Sequence, residues 1–244
     1  MRLAPLVAGL LVGCAAAGPL PAQQSAPPPA APTVTQPDTR PGIAVFPFTN
    51  GGSYGPNRED LQPLEVGVQQ MLLTELQQNQ ALRIVERSTL RALLEEQELG
   101  ASGRVDPGTA ARIGKLVGAR YVVTGVFADV YGTFRLDGRV VDVETGEILK
   151  TEQVRGRREQ MYDLLLDLAG RITRGVRLPP LALEVQRARK ARALPPEAVT
   201  LYSRAQVYED AGRKEQAVEL YRRLVQDFPQ MTEAREALRQ LEEG

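Results

Sequence analysis

The stretch ARIGKLVGARYVVTGVFADV, residues 111–130, decides the fold because it holds a helix end, a stop signal and a buried strand in succession. Upstream, Asp106 and Pro107 predict the start of that helix, since Asp is a preferred N-cap and Pro fits the first helical turn. Gly118 predicts the end of the helix. The run from Tyr121 to Ala128 is apolar on both faces and rich in Val, which is typical of a central strand covered by helices. The stretch therefore predicts an α/β sheet.

The segments on either side complete a mixed sheet flanked by helices, for which we expect residues 43–178. The tetrapeptide Glu144–Glu147 is a hairpin turn signal, and Ser88 is the expected N-cap of the second helix. Gly114, on the apolar stripe of the third helix, indicates close packing. The predicted strands are Ile43–Phe48, Leu82–Glu86, Tyr121–Ala128, Phe134–Val143 and Ile148–Val154. The predicted order is β-α-β-α-α-β-β-β-α, and a body of about 136 residues is large enough to fold alone.

The composition excludes several kinds of chemistry. The 244 residues include no His, no Trp and one Cys, and 30 basic residues balance 30 acidic ones. Without His, neither a Ser-His-Asp triad nor a Cys/His zinc site can form, and proton transfer near neutral pH lacks its usual side chain. A formal net charge of zero argues against nucleic-acid binding. We therefore expect no catalytic residue, no metal and no cofactor, and instead a protein that binds other proteins.

Residues 1–22 have the features of an export leader. The apolar run from Leu3 to Gly13 follows a single Arg and is too short for an ordinary transmembrane helix. It ends in Leu-Val-Gly-Cys, which resembles a lipobox, so that Cys14 is the candidate lipidation site. The alternative is cleavage after Leu20-Pro21-Ala22, which would remove Cys14.

Two further segments are predicted to act as spacers. Residues 15–42 hold eight prolines and two charged residues, a composition typical of an extended tether. Residues 179–196 form a linker within a basic part of the chain. From Arg171 to Arg192 the charge is +6, from seven basic residues and one acidic residue. We expect a solvated helix face here, with anionic lipid head groups or an acidic partner surface as the alternatives.

Residues 197–244 form a small all-α tail that matches the spacing of one tetratricopeptide repeat, a helix-turn-helix unit. The expected repeat-packing residues are Leu201, Ala205, Tyr208, Gly212, Ala217, Tyr221 and Pro229. A further helix, Thr232–Leu241, is expected to cap the unit. Three repeats are the usual minimum for independent stability. We therefore expect this repeat to pack on the body, to stack on another copy or to hold a partner segment.

Five stretches of the body carry a family resemblance: IAVFPF (43–48), LLTEL (72–76), RIVERSTLRALLEEQELG (83–100), residues 111–130 quoted above, and VVDVETGEIL (140–149). Together they resemble the curli production assembly and transport component (CsgG-like) family. The resemblance extends from Ile43 to Val176. It implies an α/β domain in an exported bacterial lipoprotein, on the periplasmic side of the outer membrane. The best-known members of the family form oligomeric secretion channels with two long amphipathic hairpins in the membrane.

The lengths of two segments of the body distinguish a channel-forming protein from an accessory protein. There are seven residues between Val126 and Phe134 and six between Val154 and Met161. A membrane-crossing strand takes about 9 to 11 residues, so these segments are too short for such hairpins. We expect a periplasmic accessory or assembly protein, held at the outer membrane only by its lipid anchor, that contacts envelope proteins through its α/β platform and its repeat. The alternative is a subunit of an oligomeric secretion channel or of its periplasmic ring.

Overall fold

The central sheet is mixed, with parallel strands at one side and antiparallel hairpins at the other. The computed structural model describes residues 38–55, 58–97 and 105–243, and these residues contain six strands. The strands are β1 (Gly42–Val45), β2 (Thr49–Asn50), β3 (Arg83–Ile84), β4 (Tyr121–Val130), β5 (Thr133–Asp142) and β6 (Ile148–Arg157). Their order is β3-β1-β4-β5-β6, and β2 also pairs with β4. Strand β4 is central because it pairs in parallel with β1 and β2 and antiparallel with β5.

Helices lie on both faces of the sheet. Helices α1 (Leu64–Gln77) and α4 (Met161–Gly175) share a buried apolar cluster with Val123, Phe127 and Leu136. On the opposite face, α2 (Arg87–Glu96) and α3 (Pro107–Leu116) share a second cluster with Val122 and Val141. Complete burial of one such side chain contributes about 1.5–3 kcal/mol. In the described part of the chain, none of the helices combines the length and apolar character that crossing a bilayer requires.

Helix α3 shows how local sequence fixes this arrangement. The Asp106 carboxylate accepts a hydrogen bond from the Thr109 N–H at 3.1 Å and so caps the helix. Gly118 adopts a φ of +66° just after the helix ends, a conformation that favours glycine. A Cβ at Gly114 would lie 2.6 Å from two valine side chains beneath it, so only glycine lets α3 approach the sheet this closely. The cap, the stop and the close packing are all confirmed.

The predicted fold class is also confirmed, because the order of the longer elements is the predicted one and a helical tail follows the body. The N-cap prediction for α2 is wrong. Val85 still donates to the Ile43 carbonyl oxygen at 2.9 Å, and the chain turns into the helix directly afterwards, with Glu86 as N-cap. Ser88 therefore lies inside the first turn. Helix α2 ends at Glu96, with Gln97 as its C-cap.

The hairpin strands are longer than predicted. Strand β4 continues to Val130 and β6 to Arg157, so much of the two segments expected between elements is strand. Tyr131 and Gly132 alone connect β4 with β5. The charged side chains near the end of β6 are the reason that the predicted strand ends too early, at Val154. They are compatible with a strand, because the side chains of an edge strand can remain in water.

Four further helices follow the body: α5 (Leu183–Ala191), α6 (Pro196–Asp210), α7 (Lys214–Asp227) and α8 (Thr232–Glu243). The predicted linker, residues 179–196, therefore contains a helix. The residues from Asp38 to Gly244 form one compact unit, and a single buried cluster joins the body with the repeat. Loss of the repeat would expose body side chains to water, which argues against a body that folds alone at full stability.

Candidate interaction surfaces of the body and the repeat

The repeat docks on the body through α6, which packs on α1. At this contact Gly67 of α1 faces Ser203 of α6, and any Cβ at position 67 would overlap the serine. Ser203 is fully buried, and its hydroxyl donates to the Val199 carbonyl oxygen at 2.7 Å. Leu64 and Val68 of α1 belong to the same buried cluster as the core of the repeat. Helix α1 thus takes the place of the neighbouring repeat that an isolated unit lacks.

A group of buried polar side chains fastens α5 and α8 to the body. We call it the junction cluster; its members are Glu75, Tyr162, Arg189, Arg192 and Glu233. Glu75 on α1 forms an ion pair with Arg189, and Glu233 at the start of α8 forms one with Arg192. The Tyr162 hydroxyl donates to Glu75 at 3.3 Å, and the Arg192 guanidinium lies 5.5 Å from the centre of the Tyr162 ring.

The charged side chains of the junction cluster are buried, so each charge is stabilised by its partner and not by water. The side chains of Glu75 and Arg189 are only 2% and 11% exposed. Burial lowers the pKa of Arg189 to about 10, with the charge of Arg192 as a second cause, so the guanidinium is still protonated at neutral pH. Burial also raises the pKa of Tyr162 to about 12, which keeps its hydroxyl a donor. Each buried arginine therefore needs its carboxylate.

The junction cluster corrects the prediction of a solvated basic segment for two of its arginines. Arg189 and Arg192 lie in the basic segment, yet both are largely buried, because Glu75 and Glu233 come to them from distant parts of the sequence. The sequence holds one signal for this contact. Glu75 falls beside Leu76 on the buried stripe of α1, where a lone carboxylate needs a partner.

A second set of ion pairs holds the other end of α6. Arg87 and Arg91 of α2 both contact Asp210, the last residue of α6. Arg91 also donates to the Asp210 backbone carbonyl oxygen at 2.7 Å. Both ends of the repeat are therefore fixed to the body.

The seven residues of the repeat pattern lie at different depths. Ala205, Ala217 and Tyr221 are fully buried where α6 meets α7. The Tyr221 ring lies 5.9 Å from that of Tyr202, and its hydroxyl donates to Glu209 at 2.8 Å. The other four are the partly buried Leu201 and Tyr208, Gly212 with a φ of +70° between the helices, and the exposed Pro229 after α7.

Helix α8 covers the far side of the repeat. Its Ala234 is buried, and Leu238 and Leu241 are partly buried against the same cluster. Its opposite face exposes Arg235, Glu236, Arg239 and Gln240. A polar outer face is typical of a terminal capping helix. With α1 on one side and α8 on the other, the repeat offers no open apolar face for further stacking.

The turn between β4 and β5 carries a patch of exposed apolar side chains, which we call the hairpin tip: Tyr54, Val130 and Tyr131. Their exposed fractions are 59%, 47% and 77%. The Tyr131 N–H donates to the Tyr54 carbonyl oxygen at 3.0 Å, which holds the two segments together. Tyr131 and Gly132 have φ values of 50° and 86°, as in the two-residue turns of hairpins. Grouped exposed apolar side chains of this kind are candidate contact sites for a protein or a membrane.

Asp129 fixes the hairpin tip from beneath. Its fully buried carboxylate accepts two hydrogen bonds from Arg158, at 2.7 and 2.6 Å, and one from the Gly132 N–H at 2.9 Å. Burial acts to raise the pKa of Asp129, but the bonds from Arg158 and Gly132 outweigh burial and lower the pKa below its ordinary value. The turn is therefore rigid before any partner arrives, which reduces the entropy cost of binding.

The hairpin tip is not among the sites predicted from the sequence. The available signal was Tyr131-Gly132 between two strand-like runs, since such a dipeptide fits a tight turn. The predicted lipidation site, Cys14, lies outside the described residues. Within the described ranges, no group of three or more His, Cys, Asp or Glu side chains is placed to hold a metal ion.

Comparison with known families gives two matches. Residues 30–130 match the family described as curli production assembly/transport component CsgG, and residues 198–241 match the tetratricopeptide repeat. Both parts of the resemblance found in the sequence are thereby confirmed, the CsgG-like part as far as residue 130. The two matches favour an accessory role in the cell envelope or a role in protein–protein interaction. A comparison with curated proteins gives no match.

Among solved structures, similar chains include TolB from Acinetobacter baumannii and the C-terminal domain of LpoB from Escherichia coli. TolB is 18% identical with a TM-score of 0.41, over 59% of this chain and 30% of TolB. The LpoB domain is 18% identical with a TM-score of 0.38, over 48% of this chain and 82% of that domain. This chain thus spans about a third of the length of TolB.

We predict that Glu75→Gln lowers the free energy of unfolding by about 3–5 kcal/mol, because Arg189 then stays buried without a counter-charge. Urea unfolding followed by circular dichroism measures this loss. The double variant Glu75→Leu/Arg189→Met removes both charges and should recover most of it, since buried pairs are often replaceable by apolar side chains.

Glu242→Gln is the matched control. Glu242 also pairs with an arginine, Arg222, but both side chains are about half exposed or more. Exposed pairs contribute little, so this variant should unfold like the wild type. Equal stability of the Glu75 and Glu242 variants would mean that the junction cluster does not hold the repeat to the body.

Proposed function

We propose that the chain is a non-enzymatic, exported protein of the cell envelope that acts through protein–protein contacts. In this proposal it is lipidated at Cys14, lies on the periplasmic side of the outer membrane, and presents the body and the repeat to its partners as one fixed platform. The family match of residues 30–130 supports the envelope role, and that of residues 198–241 supports the interaction role.

The observation that carries the proposal is the preorganised hairpin tip. Tyr131 is 77% exposed although it stands on a turn that Asp129 and Arg158 hold in place. An aromatic side chain on a rigid support is typical of an interface anchor, because little conformational freedom is lost on binding. The repeat then contributes mainly by bracing α1, since α1 and α8 already cover its two sides.

A second candidate function is a subunit of an oligomeric secretion or transport channel, or of its periplasmic ring. The observation that favours it is the match to a family described by assembly and transport. The two candidates differ in particle size, because the first needs one copy and the second needs many.

We expect Tyr131→Asn to weaken the affinity for envelope partners about 30-fold, because a central aromatic anchor contributes about 2 kcal/mol or more. The recovery of crosslinked partners should therefore fall strongly. Asn tolerates positive φ and suits a two-residue turn before Gly132, so the fold should persist. The measurement is a crosslinking pull-down from native envelopes with the variant and the wild type in parallel.

Leu183→Asn is the control for that experiment. Leu183 is a comparably exposed apolar residue, at 68%, but it lies on α5 and not at the hairpin tip. Its replacement should leave partner recovery unchanged. Equal recovery with the wild type and the Tyr131 variant would exclude the hairpin tip as the contact site.

We expect Cys14→Ala to move the protein from the membrane fraction to the soluble fraction of cell envelopes after a wash in ~1 M salt, which screens electrostatic attachment. The reason is that the acyl chains on this cysteine are the proposed anchor. Fractionation by ultracentrifugation and immunoblotting measures the shift. An unchanged distribution would contradict lipidation at Cys14.

Light scattering on the chain from Ala15 onward separates the two functions. The leading proposal expects the mass of one chain at micromolar concentration. A particle of ring size would instead favour the second candidate.

A further inference from the structure

Apart from Leu183 on α5, the exposed large apolar side chains of the described residues gather at the two ends of the sheet. One group is the hairpin tip. The other lies at the opposite end, which we call the basal end, where β4 and β6 begin and α3 stops. Leu116, Ile148 and Leu149 are exposed there to 62%, 44% and 43%. Tyr121, the first residue of β4, pairs with Asp142, the last residue of β5, and β6 begins beside that end of β5. The strand register therefore places this group at the start of β4.

A basic hollow adjoins Ile148 and Leu149 through Lys150, the next residue of β6. It has a volume of 370 Å³ and is lined by Lys150, Glu152, Arg171, Arg174, Gly175 and Arg177. Arg171 is neutralised by Asp167 at 3.0 Å. Lys150 is 53% exposed and only distantly paired with Glu152, at 3.9 Å. Arg174 and Arg177 are exposed and have no ion-pair partner among the described residues.

The described chain also begins at this end of the sheet. Arg40 donates to the Gln80 carbonyl oxygen at 3.1 Å, just before β1. The neighbouring Asn79 donates to the Pro179 carbonyl oxygen at 2.9 Å, and Pro179 follows Arg177 of the basic hollow by two residues. The segment that carries Cys14 therefore joins the fold beside the basic hollow, at the end opposite to the hairpin tip.

We propose that the basal end is a contact surface for a bilayer containing anionic phospholipid. Its apolar group, Leu116, Ile148 and Leu149, enters the head-group region, while Lys150, Arg174 and Arg177 lie against lipid phosphates. This combination of apolar side chains and cations is what binds proteins to anionic membrane surfaces. The inference rests on the proposed envelope location and adds a second, reversible attachment to the lipid anchor.

Charge complementarity and position favour a bilayer over an acidic protein. A basic patch beside a lipid-anchored segment adds electrostatic attraction to an anionic bilayer surface. The basal end supplies that patch where the anchored segment joins the fold. The turn before β6 also carries carboxylates: Glu144 is paired with Arg120, whereas Glu147 is exposed and opposes the attraction.

Sedimentation with lipid vesicles tests this proposal, using the chain from Ala15 onward. That chain keeps every described residue and lacks both Cys14 and the apolar run from Leu3 to Gly13. We expect binding to vesicles of phosphatidylglycerol and phosphatidylcholine in about equal parts, no binding to pure phosphatidylcholine, and loss of binding as salt rises.

Three variants locate the binding surface. Lys150→Gln/Arg174→Gln should weaken binding to the anionic vesicles about 30-fold, because two cations are lost from the surface. Glu147→Lys should strengthen it about 30-fold or more by the opposite change. The matched control is Lys214→Gln/Arg222→Gln, which removes two exposed cations from the repeat and should bind like the wild type.

Absence of binding to the anionic vesicles would overturn the proposal and would favour an acidic protein at the basal end. Equal loss in the basal and repeat variants would overturn it as well, because binding would then follow overall charge. These outcomes are independent of the proposed function, which is judged by the crosslinking pull-down with the Tyr131 variant and by fractionation of the Cys14 variant.

Discussion

A single helical repeat cannot bury both of its faces, and this constraint determines how the chain is built. Helix α1 packs on the sheet with one side and on α6 with another, so it serves the body and the repeat at once. Gly67 permits that contact because no side chain stands between α1 and Ser203. Apart from Leu183, the exposed large apolar side chains that this docking leaves free in the described residues lie at the two ends of the sheet.

The elements predicted correctly are those whose determinants lie within a few residues. Strand β4 follows from its apolar run, helix α3 from its Asp106 cap, and the close approach of α3 from Gly114. Ser88 failed as a cap because pairing of Val85 with β1, which is a tertiary contact, sets where the helix begins. The repeat pattern likewise predicts its own helices and not the surface on which they pack.

The junction cluster was beyond local prediction for a physical reason. A basic segment is solvated by default, and Arg189 is buried only because Glu75, more than a hundred residues earlier, is buried opposite it. The same holds for the hairpin tip, since its rigidity comes from Arg158 reaching back to Asp129 across the sheet. Such pairs depend on topology, which sequence spacing alone does not encode.

The basic segment from Arg171 to Arg192 thus divides into groups with different roles. Arg189 and Arg192 face inward and stabilise the junction, and Arg171 is neutralised on the surface of α4. Four cations are left exposed without an ion-pair partner among the described residues: Arg174, Arg177, Arg187 and Lys190. A requirement of folding explains the buried Arg189 and Arg192. It does not explain the four exposed cations, because unpaired cations at the surface add no stability to the fold. Two of these four, Arg174 and Arg177, lie beside the exposed apolar side chains of the basal end. A bilayer at that end accounts for both features together, and it leaves the hairpin tip, a full strand length away, free to face a protein partner.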